Sequence, residues 1–292
     1  MKRVQTLALG LLSVVFLVGG NCSRARVESM NHMNEGVVYA QQKRHIDAVK
    51  ALERSTAIDP SNDQAFYNLA MVHMELRHFA RAKEDMERAI SANGEVGGYH
   101  EKLGTILMEL EDWEHARAAF EQAIETDAQL FKAYYKLAQV FEKLDDQQNA
   151  LQRYTEAIQH GPRFLEAYTQ LGRLYADLGY LDESAQVLRS GLDVAMPGTE
   201  EEAQLHHMLG TVLQQQENME GAIAEFRAAL EIVPGMADAL FSLGWTYALV
   251  DNQEEGRRFL KKYVEVAGPE APAHYMKAAQ DKLSTLGGLE GP

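Results

Sequence analysis

A chain of 292 residues, 46% of them apolar and only seven of them proline, is no disordered or collagen-like polymer and has room for one or two globular domains. Its 43 Asp and Glu against 28 Lys and Arg leave a formal charge of −15, which repels phosphate backbones and excludes broad nucleic-acid binding. A single cysteine excludes an intrachain disulfide.

The first element in chain order reads as an export signal. Lys2 and Arg3 precede the apolar run Leu7 to Val18, and no acidic residue occurs before Glu28. At about twelve residues the run falls short of the roughly 20 that span a bilayer, which argues against a retained membrane helix. Loss of the signal would take Lys2 and Arg3 with it and bring the formal charge to about −17. Cys22 follows in the string LVGGNCS and resembles the lipidated cysteine of bacterial lipoproteins, whose thiol takes a diacylglycerol and becomes the new N-terminus. That family places Gly, Ala or Ser before the cysteine, where this chain has Asn21, and Ser23-Arg24-Ala25 offers an ordinary cleavage site. Lipidation, simple secretion and an uncleaved anchor therefore stay open at this point. Under lipidation Ser23 becomes the second residue, which resembles outer-membrane sorting. Acyl chains, at about 0.8 kcal/mol per buried methylene, would then hold the protein on a membrane.

Beyond the signal a period of 34 residues governs the chain. Gly36, Ala70, Gly104, Ala138, Gly172, Gly210 and Gly244 form one column, interrupted only by a four-residue excess, Thr199 to Glu202. Twelve residues further on stand Ala48, Ala82, Ala116, Ala150, Ser184, Ala222 and Gly256. Seven beyond those come Ser55, Ala89, Ala123, Ala157, Gly191 and Ala229, with Tyr263 breaking the column in the last repeat. Glycine inside a helix costs about 1 kcal/mol relative to alanine, so its recurrence needs a packing reason; close approach of two helix backbones supplies one. Large residues alternate with the small ones: Leu69, Leu103, Leu137, Leu171, Leu209 and Leu243 on the first helix, then Leu52, Met86, Phe120, Tyr154, Leu188, Phe226 and Leu260 on the second. Pro60, Pro162 and Pro234 close three repeats at one offset and Pro197 and Pro269 close two more a residue later, where a missing N–H ends the second helix.

These small, large and proline positions identify a resemblance to the tetratricopeptide repeat (TPR) family. The resemblance implies an all-α fold, a right-handed superhelical solenoid of about seven helix-turn-helix repeats with a C-terminal capping helix. The boundaries are residues 1–21 for the signal peptide, 22–28 for a short tether, and 29–62, 63–96, 97–130, 131–164, 165–198, 203–236 and 237–270 for the repeats. A capping helix over 271–286 and a flexible tail over 287–292 complete the chain. Repeats of this kind cannot bury both apolar faces alone and are stabilised by their neighbours.

No catalytic constellation stands out. There is no GxxxxGK[ST], no GxGxxG after a strand, no HExxH and no CxxC, and no metal or other cofactor is expected. His206 and His207 are adjacent, so on a helix they point about 100° apart and cannot grip one ion. The ten histidines read as surface polar residues.

The family resemblance places ligand binding in a concave groove lined by the first helix of each repeat. Its groove positions are occupied here by Lys102, Lys132, Tyr135, Lys136, Gln139, Lys143 and Arg173, with Tyr67 as a lesser candidate. Lys132, Lys136 and Lys143 are four and seven residues apart and share a helical face, and Lys102 stands one repeat earlier, roughly 10 Å away. A basic strip inside an acidic protein favours an acidic peptide or a free C-terminal carboxylate. The bland alternative is that these cations are solvated or paired with Glu109, Glu142, Glu166 and Asp177. The set partly resembles the carboxylate clamp of eukaryotic co-chaperones, through Asn68 with Lys102 or Lys132 with Lys136, but Val37 and Met71 occupy the clamp's first asparagine position and the clamp is not carried over. At the far end Met208, Phe241, Trp245 and Leu249 form an apolar groove patch, either a protein-binding hot spot or a surface buried beneath the C-terminal helix or a neighbouring chain.

These features predict a non-enzymatic protein-interaction scaffold, exported to the bacterial envelope and held on its membrane by a lipid. Its repeats would lie in the periplasm, binding a partner peptide or helix for a pilus, secretion or outer-membrane assembly machine. The alternative is a regulatory or substrate-presenting subunit of a separate envelope enzyme such as a peptidoglycan hydrolase or synthase.

Overall fold

The computed structural model describes residues 24–268 and 272–287. The expected signal peptide, Cys22 and the end of the tail lie outside the described residues. Among the described residues every regular element is an α-helix, fifteen in all, and no strand occurs. They divide into two compact units, Met1–Asp146 and Gln147–Pro292, each described by itself.

The first unit holds α1 (24–41), α2 (His45–Ile58), α3 (Asp63–Glu75), α4 (Phe79–Ala92), α5 (Gly97–Glu109), α6 (Trp113–Thr126) and α7 (Phe131–Lys143). The chain is already helical at residue 24, the first described, so residues 24–28 of the expected tether belong to α1. The second unit holds α8 (Gln147–His160), α9 (Leu165–Asp177), α10 (Leu181–Val194), α11 (Glu200–Gln215), α12 (Met219–Ile232), α13 (Ala237–Leu249), α14 (Gln253–Ala267) and α15 (Ala273–Gly287).

The large side chains of the second helices, Leu52, Met86, Phe120, Tyr154, Leu188, Phe226 and Leu260, are all fully buried. In five hairpins the glycine of the first column lies under one of them. A Cβ on Gly36 would stand 2.6 Å from Leu52, on Gly104 2.7 Å from Phe120, on Gly172 2.7 Å from Leu188, on Gly210 2.7 Å from Phe226 and on Gly244 2.9 Å from Leu260. This corrects the backbone-to-backbone reading of that column: the space a Cβ would take belongs mainly to the tip of a facing side chain. Gly256 is the closer match to the original idea, with backbone atoms of Ala248 and Gly244 at 3.1 Å from its would-be Cβ.

All seven hairpin turns share one backbone solution. Lys43, Arg77, Glu111, Asp145, Gly179, Glu217 and Asp251 have φ between 57° and 82°, the left-handed region. The next residue donates its N–H five residues back, as in His78 to His73 O at 2.8 Å, Asp112 to Leu107 O at 2.9 Å and Asn218 to Leu213 O at 2.8 Å. This six-to-one bond is the Schellman closure of a helix. Asn62, Asn218 and Asn252 cap α3, α12 and α14 through their side chains.

The four-residue excess extends α11 at its start, making it 16 residues long where α9 and α13 have 13. Thr199 caps it by accepting from the Glu202 N–H at 3.3 Å, and the Glu202 carboxylate accepts from the N–H of Gly198, the residue before the cap.

Candidate functional site

In the first unit the lysines project from α5 and α7. The apolar residues Ala133, Tyr134, Leu137, Ala138 and Phe141 hold α7 down by burial, which turns Lys132, Lys136 and Lys143 to its other side. Lys132 and Lys143 are exposed; Lys136 and Lys102 are half-buried. Lys143 Nζ lies 5.9 Å from the Trp113 ring centre and Lys132 Nζ 6.0 Å from that of Phe131.

Lys136 is the distinctive member. Burial pushes its ammonium below the usual lysine range; Glu101 pulls the other way, Lys102 and Lys132 add to the depression, and Glu109 opposes it. Among the described residues no carboxylate stands within ion-pairing distance of it. On this face Lys102 pairs with Glu101 at 3.5 Å. Glu101 is buried and was not among the sequence candidates. Its column holds Tyr67, Tyr135 and Phe241 in other repeats, and a carboxylate in an aromatic column was the available signal. Tyr135 and Gln139 sit half-buried on α7 beside these lysines. Tyr67 stacks on Tyr99 at 5.2 Å, and Tyr99 donates its phenol O–H to Asp63 at 3.0 Å. Burial first and that bond second hold the Tyr99 phenol far above its ordinary value.

Arg173, in the second unit, is paired as the bland alternative foresaw: its guanidinium donates to Asp177 at 2.8 Å and to Gln170 at 2.9 Å.

The apolar patch in the second unit is partly covered by its own chain. Phe241 meets Tyr275 of α15 edge-on at 5.0 Å and Tyr263 of α14 at 5.3 Å, and stacks with Trp245 at 5.7 Å. Lys282 of α15 places its ammonium 5.6 Å from the Trp245 ring centre. Met208 is half-buried against the core built by Leu209, Phe226 and Leu243. Only Leu249 is open, 52% exposed.

Two histidines depart from the expected surface role. His73 and Asp85 are buried and hydrogen-bonded at 2.8 Å across α3 and α4, and burial raises the Asp85 carboxyl. The corresponding pairs in the next and last repeats are Leu107 with Ala119 and Tyr247 with Phe259, so a polar pair here replaces an apolar seam. His207 is largely enclosed, 5.6 Å from the Phe226 ring and hydrogen-bonded to Ser242 at 3.2 Å. Among the described residues no group of three or more His, Cys, Asp or Glu is placed to hold a metal ion.

Stacked helical hairpins, with chemically distinct side chains on their first helices, define a helical-repeat binding protein. The family model for the tetratricopeptide repeat matches residues 31–62, 67–131, 102–152, 135–197 and 207–273, more than half of the chain. The chain belongs to the tetratricopeptide repeat family, whose fold serves protein–protein interaction and whose members are generally non-catalytic scaffolds.

Solved structures agree on the fold. The C-terminal part of a TPR protein from Cytophaga hutchinsonii is similar with a TM-score of 0.69 at 14% identity, covering 84% of this chain and 98% of that one. YrrB, described as a TPR protein with an unusual peptide-binding site, gives 0.53 at 22% identity over 66% of this chain and 97% of its own. PilF of Pseudomonas aeruginosa gives 0.58 at 16% identity over 75% and 96%. No curated protein matches the chain significantly.

Proposed function

We infer that the chain is an interaction scaffold of the bacterial envelope that takes an acidic peptide segment, or a free C-terminal carboxylate, on the α5–α7 face. The observation that carries this reading is Lys136: a half-buried ammonium with no carboxylate in ion-pairing range among the described residues, and close enough to Lys102 and Lys132 to feel both charges. A cation kept partly dehydrated and unmatched gains most from an incoming anion, because its desolvation is already in place before the ligand arrives. Lys132 and Lys143 on the same helix extend the positive field, and Gln139 offers both a donor and an acceptor to a peptide backbone. The N-terminal signal and Cys22 support delivery to the envelope with a lipid anchor, and assembly or localisation of a membrane complex is the role that fits such a scaffold.

The test is a titration of fluorescent acidic peptides, with amidated and free C-termini, against the chain and its Lys132→Glu, Lys136→Glu double variant. Binding should weaken by about a hundredfold in the variant, two charge-assisted contacts at about 1.5 kcal/mol each, while the melting temperature stays within a few degrees. Equal affinity for both proteins would reject the basic-face reading.

A further inference from the structure

A second surface stands on α1. Its buried side is made by Ser29, Met33 and Gly36. On the opposite side Val27 is 59% exposed, Met30 46% and Val38 48%. By a turn of about 100° per residue, Asn34 and Gln41 fall between them, and no carboxylate lies within about 60° of Val27. Glu28 and Glu35 stand to one flank, and the Glu35 carboxylate is already bonded to His32 at 3.3 Å and Tyr39 at 3.0 Å. A strip without an acid of its own helix is unusual in a chain of formal charge −15, although at its edge Met30 and Arg26 line a hollow shared with Asp59 and Asp63. It also sits where repeat arrays need a polar outer face, on the first helix.

The chain path says what covers it. The chain is already helical at residue 24, the first described, so at most Ser23 lies between the helix and Cys22, and residues 24–28 of the expected spacer belong to the helix. Two residues span at most about 7 Å. A lipid on Cys22 therefore brings the start of α1 onto the headgroups. Arg24, about 60° from Val27, is exposed with no carboxylate among the described residues in ion-pairing range and matches an anionic lipid surface, while Arg26 lies to the flank beside a hollow it shares with Asp59 and Asp63. A second copy of the chain fits less well: one face of the 18 described residues of α1, about 27 Å by 10 Å, falls well short of the ~800 Å² per partner of a stable dimer. A surface already tethered by acyl chains needs far less area.

We propose that the outward face of α1 is a membrane-docking surface, lying on an anionic bilayer beside the acylated Cys22 and fixing how the repeats are presented. Val27, Met30 and Val38 enter the headgroup layer, and Arg24 pairs with lipid phosphates. The proposal rests on the lipid-anchor part of the function given above.

The test separates the two. A chain beginning at residue 22 with Cys22→Ser keeps every described helix and carries no lipid. It is floated with vesicles of phosphatidylglycerol and phosphatidylethanolamine, and with phosphatidylcholine alone. It should rise with the anionic vesicles, and Val27→Glu with Val38→Glu should lower the bound fraction about tenfold. Val27→Ser with Val38→Ser, which adds no charge, should lose a smaller share, and circular dichroism checks that both variants stay helical. Absence of flotation, or equal flotation of the Glu variant, overturns the proposal. So does light scattering that shows a dimer which the Glu variant turns into a monomer, since the face would then belong to a second copy. Mass spectrometry of the native-host protein reads the anchor independently: an acylated Cys22 without flotation sinks the docking face alone, and an unmodified Cys22 with flotation sinks the anchor alone.

Discussion

On α7 the residues at the fifth, sixth, ninth and thirteenth positions of the repeat are Tyr135, Lys136, Gln139 and Lys143; on α13 the fifth, ninth and thirteenth are Phe241, Trp245 and Leu249. The first set holds an ammonium, that of Lys136, with no carboxylate in ion-pairing range among the described residues, whereas Phe241 and Trp245 of the second are met by Tyr263, Tyr275 and Lys282 of their own unit. At the second of these equivalent places the positions serve internal packing, because α14 and α15 reach them. Aromatic residues at a groove position are evidence of a binding surface only where nothing from the same chain reaches them.

The contrast can be broken at several points. Phe241→Ala should cost about 2–4 kcal/mol in urea unfolding, because three ring contacts disappear at once; unchanged stability would return the patch to the list of binding surfaces. Gly104→Ala, two residues from Lys102, should cost about 1–2 kcal/mol, since the new methyl meets the fully buried Phe120 ring at 2.7 Å. Adding Phe120→Leu should restore part of that loss, which chemical denaturation of the double variant would show. Lys136→Met should leave stability level or raise it by up to about 1 kcal/mol, the stem being retained and the dehydrated charge removed, while acidic-peptide binding is lost. A clear drop in stability would mean that Lys136 is structural. The smallest effect concerns His207, whose imidazole is held below the ordinary value by burial, with Asp238 opposing. A depressed value stabilises the fold above the unfolded-state pKa and loses that contribution as pH falls through the folded one. Melting temperature should therefore fall more between pH 7 and pH 5 for the parent chain than for His207→Gln.

Much of this architecture was open to a reader of the sequence, because small and large residues recur at a fixed interval and each small residue makes room for a specific large one. Gly104 with Phe120 and Gly210 with Phe226 could be paired by spacing alone. The hairpin bends could not: six of the seven left-handed residues are Lys, Arg, Glu or Asp, none of which announces positive φ. Their conformation is set by the helices that meet there. Lys136 was legible as a groove cation, but its partial burial depends on neighbouring helices that no local pattern describes. Glu101 and the His73–Asp85 pair were missed because polar residues inside a helix normally read as solvated. The state of the aromatic patch turned on where α15 lies, and spacing carries no information about that.

The extended start of α11 has a practical corollary. Four additional residues are absorbed between Met196 and Glu202 by one further helical turn with its own threonine cap, while Gly210 still meets Phe226 as its counterparts do elsewhere. Length at the junction between hairpins is thus uncoupled from the spacing within them. That bend is the natural place to graft a fluorophore-bearing loop or an affinity tag, through which the orientation of the native protein in its own cell could be watched.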